Sequence, residues 1–334
     1  MPFALHAPVR RHWIGTLLAA SMAALAAPLA AQGWQPTKPV EIVVPSAPGG
    51  SNDKTARTVE RILNEKRLVP TSITIVNKPG GGNALTMNYL VQHAGDGHYL
   101  MIGTPTILTN HILGRSKLTY TDFTPVASLL NDYIAFGVNA ESSIKSGKEL
   151  SERLKKDPKS VSVGFATALG SHNHIAAGLL MKAIGADVRG MRAVAFKGSA
   201  EAITAVLGGH VDLVTTASGN AATHVANGKM RVLAICAEQR MPGVLADVPT
   251  WKELGVPLVF GGWRSIMGPK GMPAEQVAFW ENALKQVVAA PEFKKDLERN
   301  FWSEDFATGT RMQEDLKQEY EAMKSVLVEL GLAK

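Results

Sequence analysis

Residues 40–66 read VEIVVPSAPGGSNDKTARTVERILNEK, and three kinds of local structure follow one another within them. Val40–Val44 is a short apolar run stopped by Pro45, the pattern of a strand covered on both faces. A Pro/Gly loop comes next. From Lys54 to about Lys66, Ala56, Val59, Ile62 and Leu63 recur at spacings of three and four, which predicts an amphipathic helix. Further along, Ile73–Val76 repeats the strand, NKPGGGN (77–83) the loop and Leu85–His93 the helix, before a third strand at Tyr99–Ile102. This rhythm predicts a mainly parallel sheet with helices on both faces.

The rhythm starts again downstream. Strand candidates lie at Ile134–Val138, Val161–Phe165, Ala193–Phe196, Val211–Thr215 and Val232–Cys236. Helices fit at Lys148–Lys155, Ile175–Ile184, Ser199–Leu207 and Ala221–Asn227. Beyond Phe260 the chain turns helical, with one apolar stripe through Trp280 and another through Leu316, both read as core. Two α/β blocks with no Ser/Gly linker predict a bilobed protein whose chain crosses between lobes on strands, a layout that permits hinge closure. The crossings are expected near Phe136–Val138 and Leu233–Cys236, so that 32–137 and 238–334 form one lobe and 138–237 the other.

Composition narrows the class of function. The chain has 334 residues, 46 % hydrophobic and 19 % charged, as a folded protein requires. Its net charge of +6 is spread thinly, which argues against nucleic-acid binding. A single cysteine, Cys236, excludes an internal disulfide framework and a thiolate-rich metal site. Residues 1–31 read as an export signal: Arg10, Arg11 and His12 precede the apolar run Ile14–Leu29, and small residues end it at Ala30 and Ala31. Cleavage near Ala31 and a periplasmic location are expected, by the general or the twin-arginine route.

Enzyme signatures are mostly absent: no P-loop, no dinucleotide fingerprint, no nucleophile elbow and no H-E-x-x-H. His172 and His174 form an H-x-H pair that on an extended segment could supply two metal ligands to an exported hydrolase; otherwise one caps a helix and the other lines a surface. Cys236, in the apolar run VLAIC, reads as a buried thiol. What remains is a pair of strand-to-helix junctions rich in backbone donors. Pro48, Gly49, Gly50, Ser51, Asn52 and Asp53 precede the first helix, and Gly170, Ser171, His172, Asn173 and His174 open the helix at Ile175. Helix N-termini favour anions, and glycine lets a ligand approach the backbone, so two such loops facing across a cleft would clamp a carboxylate; plain N-capping is the other reading.

At these loops the sequence resembles the extracytoplasmic substrate-binding receptors of tripartite tricarboxylate transporters, the Bug-type family, from about Lys38 to the C-terminus. VPSAPGGSNDKTAR is similar to the family pattern V-P-F-P-P-G-G-x-x-D-x-x-A-R at Pro45, Pro48, Gly49, Gly50, Asp53, Ala56 and Arg57. GDGHYLMIGT (95–104), GSHNH (170–174), FKGSAEA (196–202), GGHVDL (208–213), LADVPT (245–250) and Trp263 follow in order. The resemblance implies a type II periplasmic-binding fold that closes on a small organic carboxylate, does no catalysis, needs no cofactor, acts as a monomer and delivers its ligand to integral-membrane transporter subunits; a sensor subunit for a signalling partner is the other receptor reading. It implies ligand contacts from Pro48, Gly49, Gly50, Ser51 and Asp53 in one lobe and from Thr167, Gly170, Ser171 and His172 in the other. Thr104 and Thr106 would line the wall. The chain departs from the pattern at Ser46, in place of an aromatic, and at Thr216, where an acid is usual. Arg264 follows Trp263 as a bidentate anchor for a second carboxylate, or as a surface or ion-paired arginine.

Overall fold

The computed structural model describes residues 1–4, 33–46, 48–49, 51–80, 83–166, 168–196 and 198–333. The chain divides into two compact units, Met1–Trp34 and Gln35–Lys334. Apart from its first four residues, the expected export signal lies outside the described residues, as do Gly50 and Thr167. No helix among the described residues is long and apolar enough to cross a membrane.

The second unit holds two sheets. The first takes β1 (Val40–Val44), β2 (Ile73–Asn77), β3 (Tyr99–Gly103), β4 (Phe123–Asn131), β10 (Arg264–Pro269) and β11 (Ser303–Thr308), in the order β11-β4-β10-β3-β1-β2. The second takes β5 (Ile134–Asn139), β6 (Ser162–Ala166), β7 (Arg192–Phe196), β8 (Leu213–Ala217) and β9 (Met230–Ile235), in the order β7-β6-β8-β5-β9. Val40 and Ile42–Val44 are fully buried because β1 pairs in parallel with β2 and β3 while helices cover its faces. The first of those helices is α1 (Ser51–Glu65), which buries Ala56, Val59, Ile62 and Leu63, the stripe read from the sequence. Then come α2 (Ala84–Val91), α3 (Thr106–Ile112), α4 (Gly147–Lys156), α5 (His172–Ala183), α6 (Ser199–Leu207) and α7 (Ser218–Ala226). The C-terminal part adds α8 (Ala274–Ala289), α9 (Pro291–Asn300) and α10 (Gly309–Glu329).

Both sheets are mixed rather than mainly parallel. β1, β2 and β3 run together, as do β6, β7 and β8, but β10 is antiparallel to β3 and β4, and β5 is antiparallel to β8 and β9. A parallel neighbour needs a crossover of a dozen or more residues, usually a helix. β4 instead runs on into β5 through Asp132 and Tyr133 alone, and the strands that receive the chain after each crossing, β5 and β10, run against their neighbours.

The crossings also lie elsewhere than the hydrophobic pattern suggests. Ile134–Gly137 pairs with β8 and β9, so the outward crossing is at Asp132–Tyr133, ahead of Phe136–Val138. After β9 the chain stays on the second sheet: Ile235 bridges Thr250, and Trp251 packs edge-on against Phe136 with ring centroids 5.2 Å apart. It returns at Phe260–Trp263, beyond Leu233–Cys236. There Tyr133 bridges Gly261, Gly262 N–H donates to Asp132 O at 2.9 Å, and Phe260 N–H donates to Cys236 O at 2.9 Å. One hydrophobic core runs through both lobes, joining Val43, Met101 and Met267 to Phe136, Val163 and Phe165, and α10 packs on α3 of one lobe and α5 of the other.

Candidate functional site

The loop before α1 is shaped by Asp53. Its carboxylate is buried and its oxygens are taken: Oδ2 accepts from Gly49 N–H at 2.8 Å and Arg57 Nε at 2.9 Å, and Oδ1 accepts from Asn77 Nδ2 at 2.9 Å. Asn77 also donates to Ser46 O, which ties the loop to the end of β2. Burial works against the Asp53 charge, but the hydrogen bonds from Arg57, Gly49 and Asn77 outweigh it and hold the carboxyl below its ordinary range. Asp53 therefore builds the loop. Gly49 sits at φ +82° and is exposed together with Pro48, so the turn leaves its backbone open.

The second junction is a capped helix start. α5 begins at His172, three residues before the Ile175 start expected, because Ser171 Oγ accepts from His174 N–H and donates to Ala166 O at 3.0 Å. The two histidines therefore stand on a helix rather than on an extended segment. Residues two apart there point about 200° from each other, and they diverge. His174 turns inward: its ring stacks on Phe165 with centroids 4.6 Å apart, and Nδ1 accepts from Gly170 N–H at 2.9 Å. Gly170, at φ +81°, leaves only room enough for Leu113 of the other lobe, whose Cδ1 would lie 2.8 Å from an added Cβ. Among the described residues no three His, Cys, Asp or Glu side chains gather to hold a metal ion.

The two junctions meet at Arg264. It opens β10, is 9 % exposed, and donates through Nη2 to Ser51 Oγ at 3.2 Å, through Nη1 to Trp263 O at 3.1 Å and to Gly262 O. None of these acceptors carries a charge, and Nε has no partner among the described residues. Arg264 is thus a buried cation whose direct contacts do not neutralise it, neither a surface residue nor half of a contact ion pair. Burial lowers its pKa, and the nearby charge of Asp132 works the other way. Asp132 in turn is pushed by burial up to about 6, against the pull of Arg264 and a hydrogen bond from Trp302. His172 reaches the same place from α5: burial first, then the charge of Arg264, bring it down to about 4, so the imidazole is neutral at pH 7. Gly262 separates the two, since an added Cβ would stand 3.1 Å from Arg264 Nη1 and 3.7 Å from His172 Nε2.

The other expected wall residues hold different positions. Thr104, after β3, accepts from Asn83 Nδ2 at 2.8 Å; Asn83 itself sits at φ +77°, a conformation asparagine tolerates, ahead of α2, with no side-chain cap on that helix. Thr106 is half-buried at the start of α3, and Thr216 is buried on β8, where its hydroxyl accepts from Asn220. Among the described residues no hydrogen bond joins any of these three threonines to the Ser51–Arg264–His172 group. Sequence reasoning missed Asp132 and Gly262 and read Asn83 only as the end of the NKPGGGN loop; for Gly262 the Gly261–Gly262 pair ahead of Trp263 offered a signal, a backbone that must pass close to something. Cys236 is buried, with its thiol held protonated by burial, and stays out of the chemistry. A buried arginine, a neutral imidazole and two helix N-termini can hold an anion.

Comparison with known proteins agrees with this geometry. The description "Tripartite tricarboxylate transporter family receptor" matches residues 55–332. Protein BugT of Bordetella pertussis is 29 % identical over 254 residues, covering 75 % of this chain and 76 % of BugT. The solved TctC solute binding protein from Polaromonas superposes with a TM-score of 0.78 at 26 % identity, over 88 % of this chain and 99 % of that one. A second structure, R. palustris Rpa4515 with adipate, gives a TM-score of 0.71 at 27 % identity, over 89 % and 99 %. The two-lobed periplasmic-binding architecture and the family match coincide, and the chain belongs to the tripartite tricarboxylate transporter receptor family.

Proposed function

We propose that this protein is an exported periplasmic receptor that closes its two lobes on a small organic carboxylate and delivers it to the membrane subunits of a tripartite tricarboxylate-type transporter. The buried Arg264 guanidinium carries the reading, since its Nε is unpaired among the described residues and its Nη2 touches the first helix junction. A carboxylate there completes a charge-assisted hydrogen bond in a site shielded from water. Ser51 and the open backbone at Pro48 and Gly49 supply the first lobe's share, with Gly50 beside them. His172, Ser171 and Gly170 supply the second lobe's, with Thr167 beside them. Thr104, Thr106 and Thr216 complete the walls, Asp53 acts by holding the loop, and the lobes divide at residues 132–133 and 260–263. The adipate bound by a structural relative supports this ligand class.

A thermal-shift screen of the protein cut after Ala31 against mono-, di- and tricarboxylates tests the reading. A true ligand raises stability by about 2.7 kcal/mol at a hundredfold excess over its dissociation constant. A shift with one acid class that is indifferent to chelator agrees with the receptor. Silence across the acids together with a strong response to added metal opposes it.

A further inference from the structure

A cavity of about 520 Å³ opens between α10, β11 and the crossing segments, and neither Ser51, His172 nor Arg264 lines it. Trp263 and Ser265 line this cavity, whereas Arg264 between them donates to Ser51 on the other side. Its inner wall is apolar and aromatic, with Leu258, Phe260, Trp263, Met312 and Leu316 all buried. Its charged lining is mostly acidic. Glu238, Asp305, Asp315 and Glu319 line it with one cation, Arg311, which lies 3.7 Å from Asp315; Glu238 pairs outside it with Lys252, which leaves Asp305 and Glu319 without a paired cation among the described residues. This is an acidic chamber in a chain whose net charge is +6.

Several of the polar atoms there lack donors. Trp263 Nε1–H donates to Glu319 Oε2, but Glu319 Oε1, Asn131 Oδ1 and the fully buried Ser265 Oγ have no partner among the described residues. Buried acceptors without donors are unfavourable; Glu319 Oε1 and Asn131 Oδ1 call for a donor, the Ser265 hydroxyl can donate or accept, and beside carboxylates a cationic donor is the most favourable. An alkylammonium is such a group, with three donors and no acceptor, and aromatic faces such as those of Trp263 and Phe260 attract it further. A bare metal ion fits less well. Among the described residues no three acids converge to ligate one, and the volume is of the size that holds an organic molecule. Burial pushes the Glu319 carboxyl up to about 8; the Trp263 hydrogen bond opposes the shift, and the charges of Asp305 and Asp315 add to it. An ammonium beside Glu319 reverses that balance.

We infer that this cavity is a second binding site, which takes a linear organic diammonium ion, its methylenes along the Leu258–Trp263 wall and its charged ends at the carboxylates. Calorimetric titration of the protein with 1,4-diaminobutane is the test. Saturable binding is expected, about tenfold weaker in Glu319→Gln, which keeps an acceptor for Trp263, and several-fold weaker in Asp315→Asn at the exposed rim. Affinity of the native protein is expected to rise with pH through about 8, and that rise to vanish in Glu319→Gln. Carboxylate affinity in the front cleft stays unchanged in both variants. No saturable binding, equal affinity in Glu319→Gln, or magnesium ions binding with the same mutational pattern would overturn the assignment.

Discussion

Arg264 is the residue to which the proposed function assigns the charge of the ligand. Its neighbours respond to whatever anion it takes: an incoming carboxylate competes for the guanidinium that steadies Asp132 and places negative charge beside His172, so both pKa values rise on binding. Binding therefore takes up protons, and affinity is expected to strengthen as pH falls through about 6. Titration in buffers of different ionisation enthalpy measures that uptake, and Asp132→Asn should reduce it; a pH-independent affinity would place the ligand outside the field of Arg264. Asp53 has the opposite task. Its lowered pKa adds stability that is present above the ordinary value of 3.8 and is lost as pH falls through the lower folded-state value. Asp53→Ala is expected to cost about 2 kcal/mol at neutral pH, and to flatten the acid limb of stability measured by chemical denaturation.

At the scale of elements, the two helix starts are equivalent in chemistry and different in construction. α1 is preceded by a loop held from outside by Asp53 and Asn77, whereas α5 is capped from within by Ser171. Gly170 joins the second start to the opposite lobe, because its φ of +81° and the nearby Leu113 leave no room for a side chain. Gly170→Ala is expected to lower stability by about 1–2 kcal/mol and to weaken ligand binding, read by thermal melts and calorimetry. β1, α1 and both junction loops were legible in the sequence because strand periodicity, helical spacing and glycine each leave a local mark. The start of α5 was placed three residues late, since a Ser cap looks like loop until its hydrogen bonds are seen. Asp132 and Gly262 were illegible for a different reason. The two meet each other from positions more than a hundred residues apart, and an apolar run such as IAFGV reads the same on either side of a crossing.

For the molecule as a whole, the two short segments that join the sheets are in contact with each other, and the proposed closure turns on them. Gly261 lies so near the outward crossing that an added Cβ would stand 2.0 Å from Asn131 Oδ1 and 3.0 Å from Asp132 O. Gly261→Ala should part the segments, lowering stability by about 1–3 kcal/mol and weakening capture in the cleft, as measured by melting curves with and without ligand. α10 also spans the lobes, and Gly178 of α5 leaves space there for Val326. A receptor built this way needs one fixed cation in the cleft and two lobes that can reach it. The most direct test is a calorimetric titration of the native protein and of Arg264→Ala with the carboxylate found by the thermal-shift screen. The expected result is saturable one-site binding that weakens by about 10- to 100-fold in the variant, with the melting temperature of the free protein little changed. Equal affinity in the two proteins would contradict the account.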